Sequence, residues 1–198
     1  MCTNDPTLAY YNSHAEDFIR CTKEVEFTPI QETFLSYLKP NATILDLGCG
    51  SGRDSKAFIE KGFRVTAVDG SEELCKTASE YIHQNVICST FQDYQPSETF
   101  DGIWACASLL HLPLDDIRLV IKKLTDSLAK GGCFYVSFKF GDFSGTRNGR
   151  FFTDLTDKSL VELISSIPAL MIDKTYITSD VRPGRSNEKW LNAFLIKN

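Results

Sequence analysis

Short apolar runs alternate along the chain with segments whose apolar residues recur every three or four positions, the signature of strands alternating with amphipathic helices. Strands are predicted over residues 44–47, 64–69, 86–88, 100–107, 133–138, 171–178 and 190–196. A helix follows the first strand over about 54–61 and ends at Gly62; after the second strand, Ser71 caps another whose stripe is Leu74, Ala78, Tyr81 and Ile82. Pro113 opens a third, with Ile117, Val120, Ile121, Leu124 and Leu128 on one face and a stop at Gly131-Gly132. A fourth covers about 156–167, with Leu160, Leu163, Ile164 and Ile167 inward. This order predicts an α/β fold: a doubly wound, mostly parallel, seven-stranded sheet in a single domain. Ahead of the first strand, Tyr11, Ala15, Phe18 and Ile19 share a helical face, which makes residues 1–39 a candidate flap. The glycines and polar residues of 141–150 leave no packed element and predict a mobile loop.

The first strand runs directly into Gly48-Cys49-Gly50-Ser51-Gly52 and then a helix. Side chains are missing where the helical N–H groups begin, a geometry that admits a polar ligand against the backbone. Asp69 ends the next strand, where its carboxylate can accept both hydrogen bonds of a ribose diol; capping the helix at Ser71 is its other reading. The pair points to a nucleoside cofactor. The spacing is G-x-G-x-G, and Arg53 stands where a dinucleotide fingerprint has its third glycine.

Composition narrows the class further. Hydrophobic residues at 42%, charged residues at 24% and a length of 198 fit a globular domain that buries roughly 70% of its unfolded surface. No apolar run approaches the roughly 20 residues of a membrane span, and no secretory signal is readable, so a cytoplasmic location is expected. The net charge of −5 argues against nonspecific nucleic-acid binding. Residues 1–138 carry −7 and residues 139–198 carry +2, either chance or a mildly cationic lid over an acidic body. Seven cysteines, at 2, 21, 49, 75, 88, 106 and 133, form no C-x-x-C. Cys49, Cys88, Cys106 and Cys133 fall in or beside strands, and the set reads as small buried hydrophobes. His14, His83 and His111 lack metal-ligand spacing, so no metal is expected.

The glycine pattern resembles motif I of the class I S-adenosylmethionine (SAM)-dependent methyltransferases, and the element order is similar to that family over about residues 10–198. Within it, the stretch from Trp104 to His111 and Ser137-Phe138-Lys139 look like short bacterial methyltransferases described as tellurite-resistance-related. The resemblance implies SAM as cofactor, with the backbone of Gly48, Cys49 and Gly50 against its methionine part and Asp46 supporting that turn or serving only as a buried strand-end acid. It implies Asp69 and Gly70 at the ribose, and Gln92 and Asp93, within Phe91-Gln92-Asp93-Tyr94, at the adenine unless that stretch is a plain polar loop. Cys106 would line the cofactor site. Tyr11 and Arg20 would close over it, with Arg20 meeting a carboxylate or remaining a solvated charge.

His111 sits at the carboxyl end of a predicted parallel strand, the edge where open α/β sheets bind ligands. It is a candidate base or acceptor-orienting group, or else a histidine bonded to the next turn. Lys139, Arg147 and Arg150 follow the fifth strand on the same edge, where they either recruit an anionic acceptor or are ordinary loop charges. The reaction expected is in-line transfer of the sulfonium methyl to a small-molecule acceptor, with the oligomeric state left open. Two alternatives stand: a nicotinamide-dependent oxidoreductase on a similar sheet, and a SAM-binding regulatory protein without turnover.

Overall fold

The computed structural model describes residues 5–198. At its centre is β1 (Thr43–Leu47), buried along its whole length because helices cover both faces of the sheet. It pairs in parallel with β2 (Arg64–Asp69) and β4 (Phe100–Ala105). The sheet extends on one side to β3 (Ile87–Cys88) and on the other to β5 (Leu128–Lys139), both parallel to their neighbours. It then turns antiparallel through β9 (Lys189–Lys197) and β8 (Leu170–Ser179), giving the order β3-β2-β1-β4-β5-β9-β8. The expected doubly wound seven-stranded sheet is therefore present.

Alternation along the strands sorts the core into two faces. Leu45, Leu47, Ile103, Phe134 and Val136 pack with α6 (Leu114–Asp126) and α7 (Asp157–Ser165). Ile44, Trp104, Tyr135 and Phe194 pack instead with Phe34 of α3 (Thr28–Leu35) and Phe58 of α4 (Arg53–Glu60). There the Trp104 and Tyr135 rings stack at 4.1 Å between centroids. Ser71 accepts from Leu74 N at the start of α5 (Glu72–Ile82), and Thr156 caps α7 through a capping box.

Three expectations need correction. Residues 141–150 are not an unstructured loop: β6 (Ser144–Arg147) and β7 (Arg150–Thr153) form an antiparallel hairpin. Its two-residue turn, Asn148-Gly149, has φ of +49° and +77°, the left-handed pair that a primed hairpin turn requires. Leu128 belongs to β5, since α6 ends at Asp126 and the chain enters the sheet before Gly131-Gly132. Finally, Cys49, Cys75 and Cys133 are buried, but Cys21 and Cys88 are exposed and Cys106 is half-buried. Cys88 falls on the short outermost strand, and Cys2 lies outside the described residues. Among the described residues no helix is long and apolar enough to cross a membrane, and no cluster of metal-ligating side chains occurs.

Candidate functional site

A cavity of about 220 Å³ opens at the carboxyl edge of β1, β2, β4 and β5, roofed by α1 (Pro6–Ser13), α2 (Ala15–Thr22) and the β6–β7 hairpin. Its floor is the glycine turn. Gly48 N and Cys49 N both donate to Val68 O, at 2.8 and 3.0 Å, and so clamp the end of β1 to β2. Gly48 and Gly50 hold φ of +82° and +55°. A Cβ at Gly48 would stand 2.4 Å from Ser108 Cβ, and one at Gly50 would stand 2.9 Å from the Phe18 ring. Both positions therefore need glycine, for conformation and for space.

Asp69 is buried beside this turn and accepts from Gly50 N at 2.8 Å and Ser71 N at 2.9 Å. Burial pushes its carboxyl pKa up, against the pull of these backbone donors. Each oxygen retains lone-pair capacity toward the cavity that the residue borders. Gly70 lies under Leu8 of α1, whose methyl carbon would be 2.7 Å from a Cβ there. Thr90, Phe91 and Gln92 supply one wall, and Cys106, Ala107 and Ser108 another. Ala107 holds a left-handed φ of +51°, a strained conformation for a residue with a side chain, and its N–H donates to Ser137 Oγ at 2.8 Å. Burial raises the Cys106 thiol to about 12, which keeps it protonated.

Four of the residues expected here stand elsewhere. Arg20 is exposed on α2 and pairs with Asp17 one helical turn away. The guanidinium that does border the cavity next to the glycine turn is Arg53, which the sequence offered only as a missing glycine. It donates through Nε and Nη2 to the two oxygens of Asp54 at 2.8 and 2.9 Å. Asp54 also accepts from Gln31 and Trp104, at 2.7 and 2.9 Å, and the Arg53 charge together with these donors holds its carboxyl pKa down despite burial. Asp46 does not reach the cavity; it accepts from Ser55 Oγ, and burial next to the Asp54 carboxylate pushes its pKa up. Asp93 turns back to accept from Thr90 Oγ1 at 2.8 Å. Arg147 is committed to Asp154 at 2.5 Å.

At the opposite end Tyr11, His111 and Arg150 meet. Tyr11 Oη lies 2.8 Å from His111 Nε2, and Arg150 Nη1 donates to Tyr11 Oη at 3.2 Å. His111 is presented by a short 3₁₀ turn after β4, and its Nδ1 lies 2.7 Å from Phe151 O in the hairpin. Burial lowers the His111 pKa to about 4, so the ring is neutral near pH 7. The same end carries Lys139, ion-paired to Glu188 and lying 5.0 Å from the Trp190 ring centre, and Arg182, bidentate on Asp180. Two buried polar side-chain atoms of the described residues have no partner, Ser108 Oγ and Arg150 Nε, and both residues border this cavity. Such atoms carry a desolvation cost that a ligand would offset.

Residues 44–132, a little under half of the chain, match the family model described as "Methyltransferase domain". The ubiquinone biosynthesis O-methyltransferase of Idiomarina loihiensis is 32% identical over 102 residues, 48% of this chain and 41% of that protein. The 2-methyl-6-phytyl-1,4-hydroquinone methyltransferase of Synechocystis is 30% identical over 62% of this chain and 40% of its own length. The chain thus spans about two fifths of these relatives. In structure it is similar to the 1,6-didemethyltoxoflavin-N1-methyltransferase of Burkholderia thailandensis solved with 1,6-didemethyltoxoflavin and S-adenosylhomocysteine (SAH). That likeness has a TM-score of 0.76 at 21% identity, covering 96% of this chain and 87% of that one. The architecture is the Rossmann-like methyltransferase fold.

Proposed function

We propose that the chain is a class I SAM-dependent methyltransferase that transfers a sulfonium methyl group to a small-molecule acceptor. The observation that carries the reading is a single cavity with two differently equipped ends. One end has bare backbone and a buried carboxylate; the other has a tyrosine, a neutral histidine and an arginine with an unpartnered Nε. These residues fit SAM. The side-chain-free glycine turn leaves space for the methionine part, Asp69 keeps lone pairs for ribose hydroxyls, and Thr90–Gln92 flank the adenine position. Arg53 takes the part expected of Arg20 toward the cofactor's carboxylate, with Nη1 uncommitted to Asp54.

When bound, the cofactor supplies an activated electrophilic methyl group, so the chain's own residues have mainly to position an acceptor and exclude water. Alignment alone is worth about 7–11 kcal/mol for well-held partners. Leu8 and Phe18 close the roof over Gly70 and Gly50, and Phe152 and Trp190 line the acceptor end with apolar surface. Lys139 and Arg185 share Glu188 and Arg182 pairs with Asp180, whereas Arg150 has no carboxylate partner among the described residues. That suits an acceptor that develops negative charge as its proton leaves. The segments resembling tellurite-resistance-related enzymes keep a metalloid oxyanion among the acceptors to be tested. Six unpaired thiols among the described residues accord with a reducing, cytoplasmic compartment.

The test is an SAH-release assay with SAM across phenol, thiol, amine, carboxylate and metalloid acceptors. Release that depends on one acceptor class supports the reading. Tight SAM binding with no release in any class would instead make the chain a regulatory binder.

A further inference from the structure

The hydrogen bonds at the acceptor end run in one fixed direction. Phe151 O can only accept, so His111 Nδ1, 2.7 Å away, carries the ring's hydrogen. The ring is neutral, so Nε2 holds a lone pair and Tyr11 Oη must donate to it. Tyr11 Oη in turn accepts from Arg150 Nη1. A phenol oxygen has one hydrogen and two lone pairs, so Tyr11 is left with one lone pair and nothing to donate. Arg150, flanked by the rings of Tyr10, Tyr11 and Phe152 at 4.5, 5.6 and 5.2 Å, is left with a buried Nε–H that has no acceptor. The unfilled valences are thus one acceptor and one donor on adjoining side chains.

We propose that this end of the cavity recognises a weakly acidic hydroxyl or N–H that enters protonated, donating its hydrogen to Tyr11 Oη while an adjoining lone pair accepts from Arg150 Nε. A phenol, an enol or a heteroaromatic N–H beside a ring heteroatom satisfies both valences. A carboxylate or sulfonate does not. It offers only lone pairs, and would set one of them against the Tyr11 oxygen; turning the Tyr11 hydrogen toward it would leave His111 Nε2 facing an oxygen with no hydrogen between them. The bound group becomes the methyl acceptor only if the methyltransferase reading holds, but the donor and acceptor polarity stands on the hydrogen bonds of the buried, neutral His111 ring whichever reaction follows.

The probes are phenol and benzoate, similar in size and opposite in hydrogen-bonding character, titrated by NMR into the SAH-loaded protein. Phenol is expected to bind at least about tenfold more tightly than benzoate, with shifts at Tyr11 and His111, and the preference should fall to near unity in Tyr11→Phe. Equal or tighter binding of benzoate, failure of both probes to perturb these residues, or an undiminished preference in Tyr11→Phe would overturn the proposal. A second measurement needs no variant: ¹⁵N shifts should show His111 protonated at Nδ1 and bare at Nε2, and the reverse tautomer would end the argument. If SAH itself fails to bind, the methyltransferase reading falls, while the same titration of the free protein still decides this one.

Discussion

The glycine turn and the acceptor end share one cavity, yet they are assembled in opposite ways. At the turn, the backbone does the positioning: three N–H groups of consecutive residues 48–50 are held by Val68 O and Asp69, all within one strand-loop-helix-strand unit. At the other end, Tyr11, His111 and Arg150 are joined by side-chain bonds across 100 and 139 residues of chain. Backbone geometry fixed by a buried parallel sheet suits a ligand that does not vary. Side chains carried by a flap and a hairpin can be exchanged without disturbing the sheet, which suits a ligand that differs between relatives. Substitutions at the first end should therefore abolish cofactor binding, and those at the second should change acceptor use alone.

The largest expected effect is at Gly50→Val. The φ of +55° costs a branched residue about 1–3 kcal/mol, and collision with Phe18 adds about as much again. Calorimetry should show SAM affinity reduced by on the order of a hundredfold or more. Unchanged affinity would mean that the turn does not face the cofactor.

The neutral, buried His111 makes its own prediction. Its pKa falls from the usual 6.5 to about 4 on folding, so the unfolded chain binds more protons between those values and stability is lost as pH falls through that window. Relative to His111→Gln, the protein should lose about 3 kcal/mol between pH 7 and pH 4 in urea unfolding. Parallel pH profiles for the two proteins would contradict a neutral His111.

Asp69→Asn removes a charged acceptor and points amide hydrogens at one of its two backbone donors. SAM binding should weaken by about 1–3 kcal/mol with the fold retained in circular dichroism. At the acceptor end, Arg150→Gln leaves no carboxylate unpaired. Its unfolding free energy should stay within about 0.5 kcal/mol and its SAM affinity within about twofold, while methyl transfer falls about 10- to 100-fold. Loss of SAM binding in that variant would erase the division between the two ends.

The same division governs what could be read from the chain. Strand and helix positions were legible because both faces of the sheet are buried, which writes near-continuous apolar runs and clean helical stripes. The glycine turn was legible because its parts are consecutive. Arg20 and Arg53 show the limit: both are arginines on short helices, and only the fold turns one toward solvent and the other toward Asp54 and the cavity. The contact of Tyr11 with His111 and Arg150 has no local signature. The hairpin did have one, in Asn148-Gly149, but it was outweighed by the surrounding glycines and polar residues. Leu128 fitted the stripe of α6 because leucine at that spacing serves a helix and a strand start alike.

Isothermal titration of the protein with SAH, and separately with NADH, tests the central claim most directly. The account predicts saturable one-to-one binding of SAH, lost in Gly50→Val and retained in Arg150→Gln, with no heat from NADH. Saturable NADH binding without SAH binding would contradict it and assign the glycine turn to a dinucleotide.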